Sequence, residues 1–144
     1  MAVDRLIILA AFVALVLVAV AVGRLWAQRR LRQLQSCSPL TLWNALGTDP
    51  DGRPTVVAFS TPGCAVCRTT QTPALQALEQ RLGDAAVRVV PVDAAERPDV
   101  ASAFGVLTVP TTVVLAPSGQ VAHANHGFAP VERLIQQVAT ATGG

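Results

Sequence analysis

Hydrophobic positions follow two regimes along this chain. From Leu6 to Gly23 eighteen consecutive residues carry no charge, and nearly all are Leu, Ile, Val, Ala or Phe, bracketed by Arg5 and Arg24. At about 1.5 Å per residue the run covers about 27 Å, close to the ~30 Å hydrocarbon core of a bilayer. No amphipathic period interrupts it, as a core helix of a small domain would require. The pattern predicts one transmembrane helix, with Arg24 snorkelling and Trp26 at headgroup level. Ala19-Val20-Ala21 resembles a signal-peptide cleavage site, but the run is long for such a segment and arginines follow closely.

Beyond Ser38 the pattern becomes that of a folded domain. Pro39 to Leu46 predicts a short helix with Ser38 as N-cap and Leu42, Trp43 and Leu46 on one side. A turn cluster from Gly47 to Gly52 leads into Thr55 to Ser60, a continuous apolar run suited to a strand buried on both faces. Cys67 to Leu82 reads as a helix interrupted by Pro73, with Leu75, Leu78 and Leu82 at helical spacing. A second strand, Val87 to Asp93, precedes a short helix from Pro98 to Phe104 that ends at Gly105. Thr111 to Ala116 and Gln120 to Ala124 are strands joined at Pro117-Ser118-Gly119, a hairpin. Residues 130–141 form an amphipathic helix with Val131, Leu134, Ile135 and Val138 inward. This order predicts an α/β fold: one small mixed sheet of about four strands flanked by helices. The expected organisation is a membrane helix with a basic juxtamembrane segment over residues 1–37, and one domain over residues 38–144.

Composition sharpens this division. The chain of 144 residues is 51% hydrophobic and 14% charged, with a formal net charge of +2. Residues 1–37 hold five Arg against one Asp, whereas residues 38–144 hold six Arg against eight acids. A slightly acidic body without a basic stripe excludes a nucleic-acid partner. Arg24, Arg29, Arg30 and Arg32 follow the apolar run and Arg5 precedes it, so the positive-inside rule places the domain in the cytoplasm of a single-pass cell-membrane protein. The lipid bilayer is thus an expected partner, with anionic lipid holding the basic flank. Lys and Tyr are absent, which excludes Schiff-base and tyrosine-acid mechanisms.

The chemistry-bearing pattern is Cys64-Ala65-Val66-Cys67, two cysteines placed between a buried strand and a helix. The helix N-terminus carries partial positive charge and unpaired N–H groups, which favour a thiolate at Cys64. Thiolate is the attacking species in disulfide exchange, and Cys67, one turn inside the helix, can resolve a mixed disulfide. Half of a zinc site is the competing reading. It would need His123 and His126, which an i, i+3 spacing on a strand turns to opposite faces; no metal is expected. Cys37 lies outside the domain, as an incidental thiol or as a partner in an intermolecular or regulatory disulfide.

With Thr108-Val109-Pro110-Thr111, Asp93 closing a strand and Gly127 after the last strand, the body over roughly Leu40 to Thr140 resembles the thioredoxin superfamily. The resemblance implies a thioredoxin-like fold, a cis peptide before Pro110, and a groove for extended substrates. That groove would be lined by Val92, Thr108, Val109, Pro110, His126, Gly127 and Phe128, with main-chain pairing at Val109. It implies a thiol:disulfide oxidoreductase with Cys64 and Cys67 as catalytic residues and no other cofactor. Protein thiols and disulfides would be its substrates, and a second redox protein its electron donor or acceptor. The family's Trp before the first cysteine is Gly63 here, and its buried Asp and neighbouring Lys correspond to Ala58 and Val89, leaving Cys67 without an obvious proton acceptor. Its helix proline sits one residue nearer the second cysteine than Pro73. Many anchored relatives work outside the cytoplasm, in oxidising compartments, which is the alternative location. A thioredoxin-like interaction module without redox turnover is the alternative function.

Overall fold

The computed structural model describes residues 12–26, 28–29 and 39–143. The chain divides into two compact units, Met1–Gln33 and Leu34–Gly144. In the first, residues 12–26 are helical (α1) and exposed throughout, including Phe12, Leu15, Leu17 and Trp26. Among the described residues no helix is long and apolar enough to cross a membrane. Part of the expected span, residues 6–11, lies outside the described residues, as does Cys37.

The second unit runs α2 (Pro39–Leu46), β1 (Thr55–Ser60), a π-helical turn (Cys67–Gln71), α3 (Thr72–Leu82), β2 (Arg88–Asp93), α4 (Pro98–Ala103), β3 (Thr111–Leu115), β4 (Val121–His126) and α5 (Val131–Thr142). The four strands form one sheet in the order β2-β1-β3-β4. β1 pairs parallel with β2 and antiparallel with β3, and β3 pairs antiparallel with β4, so the sheet is mixed as predicted.

The apolar run of β1 is explained by its central place: Thr55 to Phe59 are all buried. Alternation along the strand sends its side chains to two layers. Val56 and Ala58 enter a cluster with Leu75 and Leu78 of α3 and Leu134 and Val138 of α5. Phe59 serves the other layer, where its ring meets that of Phe104 at 5.4 Å and an interplanar angle of 52°. α2 packs beside α4 with Leu42, Trp43 and Leu46 buried. Arg97, just before α4, donates to the carbonyls of Ala45 (2.6 Å) and Leu46 (3.2 Å), capping orphan acceptors at the end of α2.

Element bounds fall within two residues of those the sequence predicts, and two differences carry structural information. β4 runs on two residues to His126, because polar Asn125 and His126 still pair with Thr112 and Thr111 of β3. Asn125 is satisfied there by Thr112 Oγ1 (3.0 Å) and by a reciprocal amide pair with Gln137 of α5 (2.8 and 2.9 Å). The second difference is the π-turn, which stands where the sequence reads as the first turn of one helix.

Candidate active site

Sheet register gathers the chemistry-bearing segments at one edge. The C-terminal end of β1 pairs Ser60 with Asp93, and Phe59 with Thr111 at the start of β3; Thr111 in turn faces His126 at the end of β4. The loops leaving β1, entering β3 and leaving β4 therefore share one end of the sheet. The Asp93 carboxylate closes β2 by accepting the Ala95 N–H at 2.8 Å and the Glu96 N–H at 3.3 Å, while Ala94 N–H donates to the Ser60 carbonyl.

After β1 the chain makes a turn in which Cys64 N–H donates to the Thr61 carbonyl at 3.1 Å. Helical backbone begins at the next residue. Cys64 and Cys67 are joined by a disulfide, with their Cα atoms 5.3 Å apart. The two sulfurs are not equivalent. Cys64 is half-buried, whereas Cys67 is 3% exposed. The Cys67 N–H points at Cys64 Sγ, 3.2 Å away, so a first-turn backbone donor is aimed at the outer sulfur. Such a donor favours the thiolate form when the bond is reduced. The Arg68 guanidinium donates to the Pro62 carbonyl and ties the loop before Cys64 to the turn after Cys67.

Cys67 opens the π-turn. Its carbonyl accepts the Thr72 N–H five residues on, together with the Thr72 hydroxyl at 2.9 Å. A π-turn holds one more residue than an α-turn. It thereby takes up the one-residue difference between Pro73 and the nearer proline position, and α3 proceeds with Pro73 in its first turn, where a missing N–H is tolerated.

The Val109–Pro110 peptide is cis, in agreement with the sequence reading. Pro110 is buried, Val109 half-buried and Thr108 exposed. The Pro110 carbonyl accepts Gly127 N–H at 2.8 Å, joining two of the predicted groove segments. Gly127 has φ of +95°, a conformation that favours glycine. His126 and Phe128 flank it with exposed side chains. Thr108 and Val109 border a hollow of about 350 Å³ shared with Thr61, Ala95, Pro98 and Leu107.

Val92 is 3% exposed and paired with Phe59 in register. Strand alternation turns it into the core while its neighbour Pro91 faces out. Sequence reasoning passed over Leu107, Arg68 and Gln71, none of which carries a local signal; the displaced Pro73 marks the π-turn alone.

A thioredoxin family profile matches residues 46–140, about two thirds of the chain. The chain belongs to the thioredoxin family. Among curated thioredoxins it is 35% identical to that of Bacillus subtilis (strain 168) over 80 residues, 56% of this chain and 74% of that one. It is 29% identical over 89 residues to chloroplastic thioredoxin Y of Oryza sativa subsp. japonica, spanning 62% of this chain and 51% of that protein. Among solved structures, chloroplastic thioredoxin z superposes with a TM-score of 0.61 at 24% identity, over 75% of this chain and 93% of that one. A mutant thioredoxin from Halobacterium salinarum NRC-1 gives 0.57 at 26% identity, over 65% and 78%. Thioredoxin membership together with the Cys64–Cys67 disulfide makes this chain a thiol-disulfide oxidoreductase.

One departure from the family acquires a structural basis. Among the described residues the buried polar side chains are Thr55, Gln71, Thr111 and Thr112, none of them ionisable. Ala58, in the place of the thioredoxin acid, sits among apolar neighbours. Among the described residues no three His, Cys, Asp or Glu side chains converge. His123 engages Thr140 Oγ1 at 2.9 Å through Nε2.

Proposed function

We propose that this thioredoxin is anchored in the cell membrane by its N-terminal apolar segment and exchanges disulfides with protein substrates from the cytoplasmic side. The observation that carries the redox roles is the inequality of the two sulfurs. Cys64, accessible and facing the Cys67 N–H, is the nucleophile, and buried Cys67 is the resolving thiol. The Cys64 thiolate attacks one sulfur of a substrate disulfide and releases the other as a substrate thiolate. Cys67 then gives up its proton and attacks Cys64 Sγ, expelling the second substrate thiol and closing the Cys64–Cys67 disulfide. Two electrons pass from the protein dithiol to the substrate, and a second redox protein restores the dithiol.

Substrates lie as extended segments along Thr108, Val109 and Pro110, with Gly127, His126 and Phe128 on the other side, and the Val109 main chain holds them. The bilayer assignment is supported by the exposed apolar side chains all along α1 and by the uncharged run to which it belongs. The side of the membrane is argued from Arg24, Arg29, Arg30 and Arg32.

One experiment addresses both parts. Cys67→Ser, expressed in intact cells, should accumulate mixed disulfides through Cys64 in the membrane fraction. A membrane-impermeant maleimide should label Cys37 only after the membrane is opened. Labelling in intact cells would move the domain to the other side, and trapping by Cys64→Ser instead would reverse the two roles. A chain that traps nothing and turns over no disulfide would be an interaction module.

A further inference from the structure

Gln71 is the last residue of the π-turn, four positions after Cys67, and its side chain is buried at 3% exposure. There it meets a residue 58 positions away. Its Oε1 accepts the Ala129 N–H at 2.9 Å, and its Nε2 donates to the Ala129 carbonyl at 3.2 Å. One carboxamide thus satisfies both main-chain polar groups of a residue that is itself 0% exposed. Two positions earlier, Gly127 N–H is held by the Pro110 carbonyl. Phe128 lies between these anchors with 40% of its surface exposed. Its outward stance is set at both ends, by the cis-proline loop and by the turn that carries Cys67.

We infer that Gln71 is a positioning residue that fixes Phe128 as a wall of the substrate groove and ties this wall to the redox helix. The inference rests on the proposed role of that groove. Gln71 contributes no proton or electron to exchange. Its loss therefore weakens recognition of extended protein substrates while sparing thiol chemistry with a small disulfide. A buried Gln maintained only for packing would have a different signature, since its loss would lower stability and leave substrate discrimination unchanged.

The test uses the full chain in detergent micelles with dithiothreitol as reductant, insulin as the protein disulfide and dithiobis(nitrobenzoate) as the small one. Gln71→Met keeps side-chain length and removes both hydrogen bonds, whereas Gln71→Glu keeps the acceptor for the Ala129 N–H. Gln71→Met should raise KM for insulin about tenfold, equivalent to ~1.4 kcal/mol, with kcat and the small-disulfide rate little changed. Gln71→Glu should recover part of that loss, and hydrogen exchange at the Ala129 amide should accelerate in Gln71→Met. An unchanged KM, or a parallel fall with both substrates, would overturn the inference. Should circular dichroism show Gln71→Met unfolded, the KM shift in Gln71→Glu decides by the same criterion. A wild-type chain inactive on both substrates would refute the groove's proposed function instead, and rapid Ala129 exchange in that wild type would separately refute the anchor.

Discussion

Restoring a carboxylate at Ala58 tests the absence of a buried proton acceptor, and its two effects have opposite signs. Ala58 is 6% exposed on β1, packed in the layer that holds Leu75, Leu78 and Val114. A carboxyl group placed there has its pKa raised, by about three pH units at the middle of the range for buried acids. At ~1.4 kcal/mol per unit this costs about 4 kcal/mol at neutral pH, a large share of the 5–15 kcal/mol that stabilises an ordinary domain. The sign follows from linkage: the unfolded chain ionises near pH 4 and the folded one near pH 7, so the deficit grows across that interval and levels off above it. A group titrating near 7 is also the base that Cys67 lacks, and positioned general bases contribute about 10²-fold or more. In Ala58→Asp, single-turnover resolution of a Cys64 mixed disulfide should therefore rise at least about tenfold at pH 7. The wild-type rate should be slow and climb with pH as the Cys67 thiol ionises unaided. The assay is stopped-flow release of substrate thiol, with urea unfolding at pH 4 and pH 7 on the same variant. An unchanged resolution rate in a folded variant would show that another group or a water already removes the Cys67 proton.

Three further outcomes follow from packing, charge and topology. Phe104→Ala removes a fully buried ring tilted against that of Phe59 and should cost about 3–5 kcal/mol in urea unfolding with m unchanged; a loss under ~1 kcal/mol would contradict the second core layer. The Arg53 side chain and backbone N–H hold the Asp51 carboxylate at a pKa of about 2, so its contribution is present above pH ~4 and lost as pH falls through 2. The stability difference between wild type and Asp51→Asn should thus narrow across that window, and a constant gap would refute the linkage. Neutralising Arg29, Arg30 and Arg32 together should weaken or invert the proposed membrane orientation in maleimide labelling.

Much of the fold was legible because its strands and helices carry strong periods. The continuous run of β1 announced burial on both faces, and the Leu75, Leu78, Leu82 spacing announced α3. The redox pair was legible for a related reason: strand, Cys-x-x-Cys and helix occur in an order that sets a thiol at a helix start. What stayed hidden depended on geometry that no local pattern records. Polar Asn125 and His126 masked the end of β4, since their pairing with β3 and with Gln137 is non-local. Val92 belongs to a strand whose inward phase is fixed only by its register with Phe59. The π-turn left one sign, a proline displaced by one position, and Gln71 gave no sign of the buried amide anchor it supplies.

The reactivity of Cys64 after reduction tests the central claim most directly. Rates of alkylation against pH, followed separately at Cys64 and Cys67 by mass spectrometry, should show Cys64 titrating towards about 7, as in thioredoxins, with Cys67 slow throughout. A Cys64 pKa at or above about 8.5, the value of a free thiol, or faster labelling of Cys67, would contradict a nucleophile activated at the helix start.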